Sequence, residues 1–103
     1  MARDAYDSIQ KNEIQPQYPP VSIADGLRTS LGSLTFKIIR ENVGLEDVLL
    51  VSEEEIIEAT KLVFERMKLV IEPSSATVVA AVLKNKERFQ GKKVCCIVSG
   101  GNV

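Results

Sequence analysis

At 103 residues, 45% apolar and 26% charged, the chain has the composition of an ordinary soluble globular domain, which excludes a disordered tail or a collagen-like repeat. Its 13 basic and 14 acidic residues leave a net charge of −1, so the positive field that nucleic-acid and anionic-membrane binders carry is absent and neither partner is expected. The longest apolar stretch, near residues 76–83, is far short of the roughly 18–20 residues of a bilayer span, and Arg3, Asp4 and Asp7 leave no apolar signal region, so a cytoplasmic location is expected. Histidine is absent, so no Ser-His-Asp, Cys-His or histidine-metal chemistry can be built from this chain alone.

In chain order, residues 2 to about 13 are polar with few apolar anchors and predict a short helix. The segment Ile14-Gln-Pro-Gln-Tyr-Pro-Pro-Val21 follows; its three prolines remove donors and fix φ, which predicts an extended loop. Over residues 26–41, Leu27, Leu31, Leu34, Ile38 and Ile39 recur mostly at helical spacing, while Gly32 and Thr35 weaken the pattern and predict a broken helix. Charge is uneven: +1 over residues 1–40, −7 over 41–58 and +5 over 59–103. The acidic run reads as a solvated helix face, favoured near a helix start by the macrodipole.

Asp47-Val-Leu-Leu-Val-Ser52 predicts a strand leading into a helix. Ser52-Glu-Glu-Glu55 has the Ser-x-x-Glu form of a capping box, the firmest boundary in the chain. Beyond it Ile56, Ala59, Val63, Met67 and Val70 predict one stripe facing a core, with Glu58, Lys61 and Glu65 in water. Pro73 suits the first turn of a second helix, buried over 74–83 at its start and wet at Lys84, Lys86 and Arg88. After Gly91, Val94-Cys-Cys-Ile-Val98 is apolar on both faces, as in a parallel strand covered by helices, and predicts two reduced, buried thiols at Cys95 and Cys96.

Strand, two helices and strand argue an α/β architecture with a right-handed crossover, part of a three-layer parallel-sheet domain. A buried parallel strand needs neighbours on both edges, and only residues 48–51 offer one, so residues 1–103 read as a partial domain truncated at both ends. Ligands in such sheets gather beyond the carboxyl ends of the strands, where Ser99-Gly100-Gly101-Asn102 lies. Taken alone, that tetrapeptide is equally a turn or a site.

Three fragments, Ser22-Ile-Ala-Asp-Gly-Leu-Arg-Thr-Ser-Leu-Gly32, Glu65-Arg-Met-Lys-Leu-Val-Ile-Glu-Pro-Ser-Ser75 and Ile97-Val-Ser-Gly-Gly-Asn-Val103, occur in that order. Together they resemble the C-terminal part of the large domain of the serine racemases, within the pyridoxal-phosphate serine/threonine dehydratase family of fold type II. The likeness covers essentially the whole chain. It implies that Ser99 meets the pyridine nitrogen of pyridoxal phosphate, that Asp25 and Gly26 line the active-site mouth, and that Glu72 stands beside the cofactor ring. Ala2 and Asp4 resemble the family's ligands for Mg²⁺ or Ca²⁺, whose companion glutamate would precede Met1. Lys68 and Asn102 match positions that contact a nucleotide effector, ATP, at a homodimer interface. In the metal stretch Arg3 departs from the acidic residue common in the family, and Leu34-Thr-Phe36 departs from the usual Asn-Thr-Trp.

The family's Schiff-base lysine, ring-contacting asparagine and phosphate-cradling glycine loop have no counterpart in this sequence, and none of the eight lysines stands in the required context. The chain therefore contains no catalytic residue of its own and is expected to be inactive alone. The whole enzyme would interconvert L- and D-serine and eliminate water from serine to give pyruvate and ammonia. A threonine dehydratase, or a non-catalytic self-association module, are the alternatives.

Overall fold

The computed structural model describes residues 2–16, 21–101 and 103. Packing divides the chain into two units, Met1–Ser22 with Leu27–Leu50, and Ile23–Gly26 with Val51–Val103.

In the first unit, α1 (Asp4–Lys11) carries Asp4 and Asp7 in its first turn and Lys11 in its last, the order that the helix dipole favours. Arg3 reaches one turn ahead to grip Asp7 through Nε and Nη2 at 2.9–3.2 Å. Asn12, at φ 55°, ends the helix in the left-handed region that asparagine tolerates. The chain then turns back, with the buried Ser8 hydroxyl accepting the Gln15 N–H at 2.8 Å. The second helix, α2 (Ser33–Asn42), starts after Gly32 and buries Phe36. The expected broken helix is thus a single 3-10 turn at Asp25–Leu27, a non-helical link, and α2.

The second unit is built on α3 (Glu53–Leu62), which passes into a π-wound turn at Val63–Met67, and α4 (Pro73–Lys84), followed by the short α5 (Lys86–Phe89). At the start of α3 the capping box forms in full: Ser52 Oγ accepts the Glu55 N–H at 3.2 Å, and a Glu55 carboxylate oxygen accepts the Ser52 N–H at 2.7 Å. Ala24, Ile56, Ala59, Val63, Ile71, Ala76 and Ala80 make the core, with Val51 and Val79 packed against it. The alanines on α3 and α4 let the two helix backbones approach closely, and Ile56 fills the space between them.

Several expectations need correction. The apolar stripe on α3 ends at Val63: Met67 and Val70 are 61% and 64% exposed. A π turn advances the chain by more residues per turn than an α turn, so the spacing of three and four no longer returns to one face, and Lys68, at φ 59°, then ends the helix. The acidic run is not one helix face: Glu41 lies near the end of α2, Glu46 and Asp47 in a 3-10 turn, and Glu53, Glu54 and Glu55 in the first turn of α3. Residues 48–51 and 94–98 form no strand among the described residues. Ladder formation needs a neighbouring strand, and none is present among the described residues. The two thiols are free, but Cys95 is exposed and Cys96 only partly covered, since among the described residues 94–98 join no sheet that could bury them. No helix among the described residues is long and apolar enough to cross a membrane.

Candidate functional site

Four of the residues singled out in the sequence, Asp25, Gly26, Glu72 and Ser99, come together around the first turn of α4. Pro73 opens that helix at N1, where a missing N–H costs nothing, and Glu72 precedes it in extended conformation. The Glu72 side chain does not cap the helix. Its carbonyl instead accepts the N–H groups of Ser75 and Ala76 at 3.0 and 3.2 Å, leaving the carboxylate directed elsewhere.

The carboxylate lies against Gly100. Gly100 has φ 76°, in the left-handed region, and a Cβ built there would collide with the Glu72 carboxylate. The backbone conformation favours glycine at this position, and a Cβ there would also have to push aside the carboxylate at the end of the flexible Glu72 side chain. Immediately before it, the Ser99 N–H donates to the buried Ser75 Oγ at 2.9 Å. Ser99 is itself exposed, and its hydroxyl has no partner among the described residues.

On the other side of the same helix turn, Gly26 N–H donates to Ser74 Oγ at 2.9 Å and to its neighbour's carboxylate, Asp25 Oδ1, also at 2.9 Å. The Ser74 hydroxyl lies 3.4 Å from Asp25 Oδ1, closing a small ring of polar contacts. A Cβ at Gly26 would come within 2.9 Å of Ser74 Oγ, so this approach also depends on glycine. Glu53 supports the strand of chain leading in, accepting the Ile23 N–H at 2.9 Å. Ser74, Ser75 and Glu53 were not read as site residues in the sequence. The Glu-Pro entry to α4 marked where the two serine hydroxyls would lie and the capping box marked Glu53 at the start of α3, but neither told which distant amides they would meet.

The donor set suits one edge of a heteroaromatic ring. A neutral hydroxyl without a partner among the described residues, a glycine turn that removes side-chain bulk, and a carboxylate beside it form one wall at the first turn of α4. They fit the pyridine edge of pyridoxal phosphate, although this chain supplies neither a lysine for covalent attachment nor a phosphate loop.

Of the remaining candidates, Ala2 and Asp4 belong to the first unit and Lys68 ends the α3 helix. Asp4 Oδ2 accepts the Leu31 N–H at 2.9 Å, joining the start of α1 to the turn before α2. With Ala2 it offers too few oxygen ligands for Mg²⁺ or Ca²⁺ unaided, and the described residues hold no cluster of three or more metal-ligating side chains. Lys68 turns its ammonium back onto the Glu65 carbonyl at 2.8 Å, closing the end of the α3 helix. Asn102 lies outside the described residues.

The Glu55 carboxyl is electrostatically perturbed. It is held below the ordinary glutamate value, first by the Ser52 N–H and then by Lys84, whose ammonium sits 3.1 Å away, while partial burial opposes them.

Comparison with known proteins gives the same grouping. The chain matches the family model described as pyridoxal-phosphate dependent enzyme over residues 1–100. It is 56% identical to the serine racemase of Dictyostelium discoideum across 99% of its own length, and the crystal structure of that enzyme superimposes with a TM-score of 0.86. The human serine racemase is 47% identical, again across 99% of the chain, and the β-hydroxyaspartate dehydratase of Paracoccus denitrificans is 41% identical across 99%. In each case the chain spans about a third of the relative's length, 31–32%. A family match over nearly the whole chain, with a close structural superposition, makes this chain a member of the pyridoxal-phosphate dependent enzyme family.

Proposed function

We propose that the chain is the C-terminal part of the large domain of a serine racemase that also dehydrates serine, and that the wall around the first turn of α4 faces the cofactor ring. The observation that carries this reading is the convergence of Asp25, Gly26, Glu72 and Ser99 on one helix turn within a single packed unit. Bound pyridoxal phosphate supplies an electron sink conjugated with the Cα of an amino-acid substrate. Ser99 donates a neutral hydrogen bond to the ring nitrogen, which leaves that nitrogen largely unprotonated. Glu72 fixes the Gly100 turn from below, and the Asp25-Gly26 turn bounds the mouth through which a small amino acid enters.

In the longer protein, residues 48–51 and 94–98 pair into a parallel sheet, which covers the apolar side chains now exposed at Val94, Ile97 and Val98. Ala2 and Asp4 contribute one edge of a Mg²⁺ or Ca²⁺ site completed by other carboxylates. Lys68 and Asn102 meet a nucleotide such as ATP at the interface of a cytoplasmic homodimer.

A second reading, a hydroxyaspartate or threonine dehydratase, is favoured by the 41% identity to the Paracoccus enzyme. Full-length protein from the complete reading frame, assayed with L-serine, D-serine, L-threonine and 3-hydroxyaspartate, separates the two. Serine interconversion together with pyruvate formation supports the first reading. Elimination from hydroxyaspartate or threonine without interconversion supports the second. Full-length protein that retains no pyridoxal phosphate and turns over none of the four contradicts both.

A further inference from the structure

We propose that Ser75 is a positioning residue for Ser99: its hydroxyl holds the Ser99 backbone so that the Ser99 side chain is presented to the cofactor ring. This inference rests on the assignment of Ser99 to the ring nitrogen.

The argument starts from what Ser99 lacks. It follows residues 94–98, which form no ladder among the described residues and which, where they pair in the longer protein, end one residue before it, so the Ser99 N–H still needs an acceptor of its own. Its N–H finds one acceptor, Ser75 Oγ at 2.9 Å, on a residue 24 positions earlier. Ser75 is 4% exposed and sits in the first turn of α4, anchored by its own N–H to the Glu72 carbonyl at 3.0 Å. A rigid helix turn therefore supplies the acceptor, and water has little access to replace it. One residue further on, Gly100 is left-handed and lies against the Glu72 carboxylate. The Ser75 bond orients the Ser99 peptide, while the Ser99 hydroxyl, with no partner among the described residues, is left to meet a ligand.

Serine at 75 is not explained by helix formation, because alanine is the better helix former. Nor is it explained by core packing, since its neighbour Ala76 fills the same buried layer without a polar group. A buried hydroxyl is costly unless it is hydrogen-bonded, so its partner on the Ser99 amide is the feature that accounts for it.

The test uses full-length holoenzyme with Ser75→Ala, Ser74→Ala and Ser99→Ala. Amide exchange at Ser99, the dissociation constant of pyridoxal phosphate, the absorption band of the bound cofactor and the kcat and KM of the amino acid are the readouts. Losing one neutral hydrogen bond corresponds to a factor of about five. Ser75→Ala is expected to speed Ser99 exchange and weaken cofactor binding by about that factor. It should also shift the absorption band in the same direction as Ser99→Ala, with kcat falling and KM little changed. Ser74→Ala, whose hydroxyl serves Gly26, is expected to leave Ser99 exchange unchanged, which a general loosening of α4 would not do. Wild-type exchange and cofactor affinity in Ser75→Ala, beside a clear effect of Ser99→Ala, overturn this inference alone. Unchanged affinity and absorption in Ser99→Ala overturn the assignment of Ser99, and the inference with it.

Discussion

The first turn of α4 and the segment at residues 94–98 are neighbours in the second unit, yet they are held in opposite ways. Around α4, each polar group that brings a distant segment close has a partner inside the chain: Ser74 for Gly26, Ser75 for Ser99, Glu53 for Ile23. At 94–98 the apolar side chains of Val94, Ile97 and Val98 are exposed, Ile97 to 77%. The first region carries its own geometry in local chemistry. The second is left largely uncovered among the described residues.

The sharpest way to break this contrast is a pair of truncations in cores of different kinds. Ile56→Ala removes a side chain that is 3% exposed between α3 and α4 and is expected to cost about 2–5 kcal/mol in urea unfolding. Ile97→Ala in the 103-residue chain is expected to change stability by less than about 0.5 kcal/mol, in the range of surface substitutions. In the full-length protein the same Ile97 substitution should cost as much as Ile56→Ala, because the sheet then covers it. Equal small effects in both settings would mean that 94–98 is never buried.

Gly100→Ala comes next. A left-handed alanine costs about 1–2 kcal/mol, and the added Cβ must also displace the Glu72 carboxylate. Full-length Gly100→Ala is expected to lose cofactor affinity at least tenfold, read by equilibrium dialysis, whereas Gly91→Ala shares the positive φ without the collision and should keep its cofactor.

Much of this organisation was legible before any coordinates, and the limits of that reading are physical. Ser52 and Glu55 announce their helix start because both partners of the capping box lie within four residues, and Pro73 marks the next start for a similarly local reason. The stripe through Met67 and Val70 misled because a π turn leaves no mark in hydrophobic spacing. Residues 94–98 read as a buried strand because the run is apolar on both faces, whereas ladder pairing depends on partners that are not local in sequence, and none forms among the described residues. At the site, motif resemblance pointed to Asp25, Gly26, Glu72 and Ser99. Ser74 and Ser75 were hidden because a hydroxyl in a helix's first turn carries no signal of an amide 48 or 24 residues away.

Smaller effects sharpen the account at α3. Ser52→Ala removes the acceptor of the Glu55 N–H and is expected to cost about 1 kcal/mol in thermal unfolding. Glu55 acts through pH. Because its folded carboxyl titrates below the unfolded one, the stability it adds is fully present above the ordinary glutamate value and is lost as pH falls through the lowered folded value. Glu55→Gln should therefore flatten the acid limb of the stability profile over that window and leave its slope near neutrality unchanged. An acid limb identical to wild type would remove Glu55 from the account.

The most direct test is the crystal structure of the full-length enzyme with pyridoxal phosphate bound. The account predicts Ser99 Oγ within about 2.6–3.2 Å of the pyridine nitrogen, with Ser75 Oγ still accepting the Ser99 N–H and Glu72 beneath Gly100. A Ser99 hydroxyl turned to solvent, or a ring nitrogen bonded to a carboxylate instead, would contradict it.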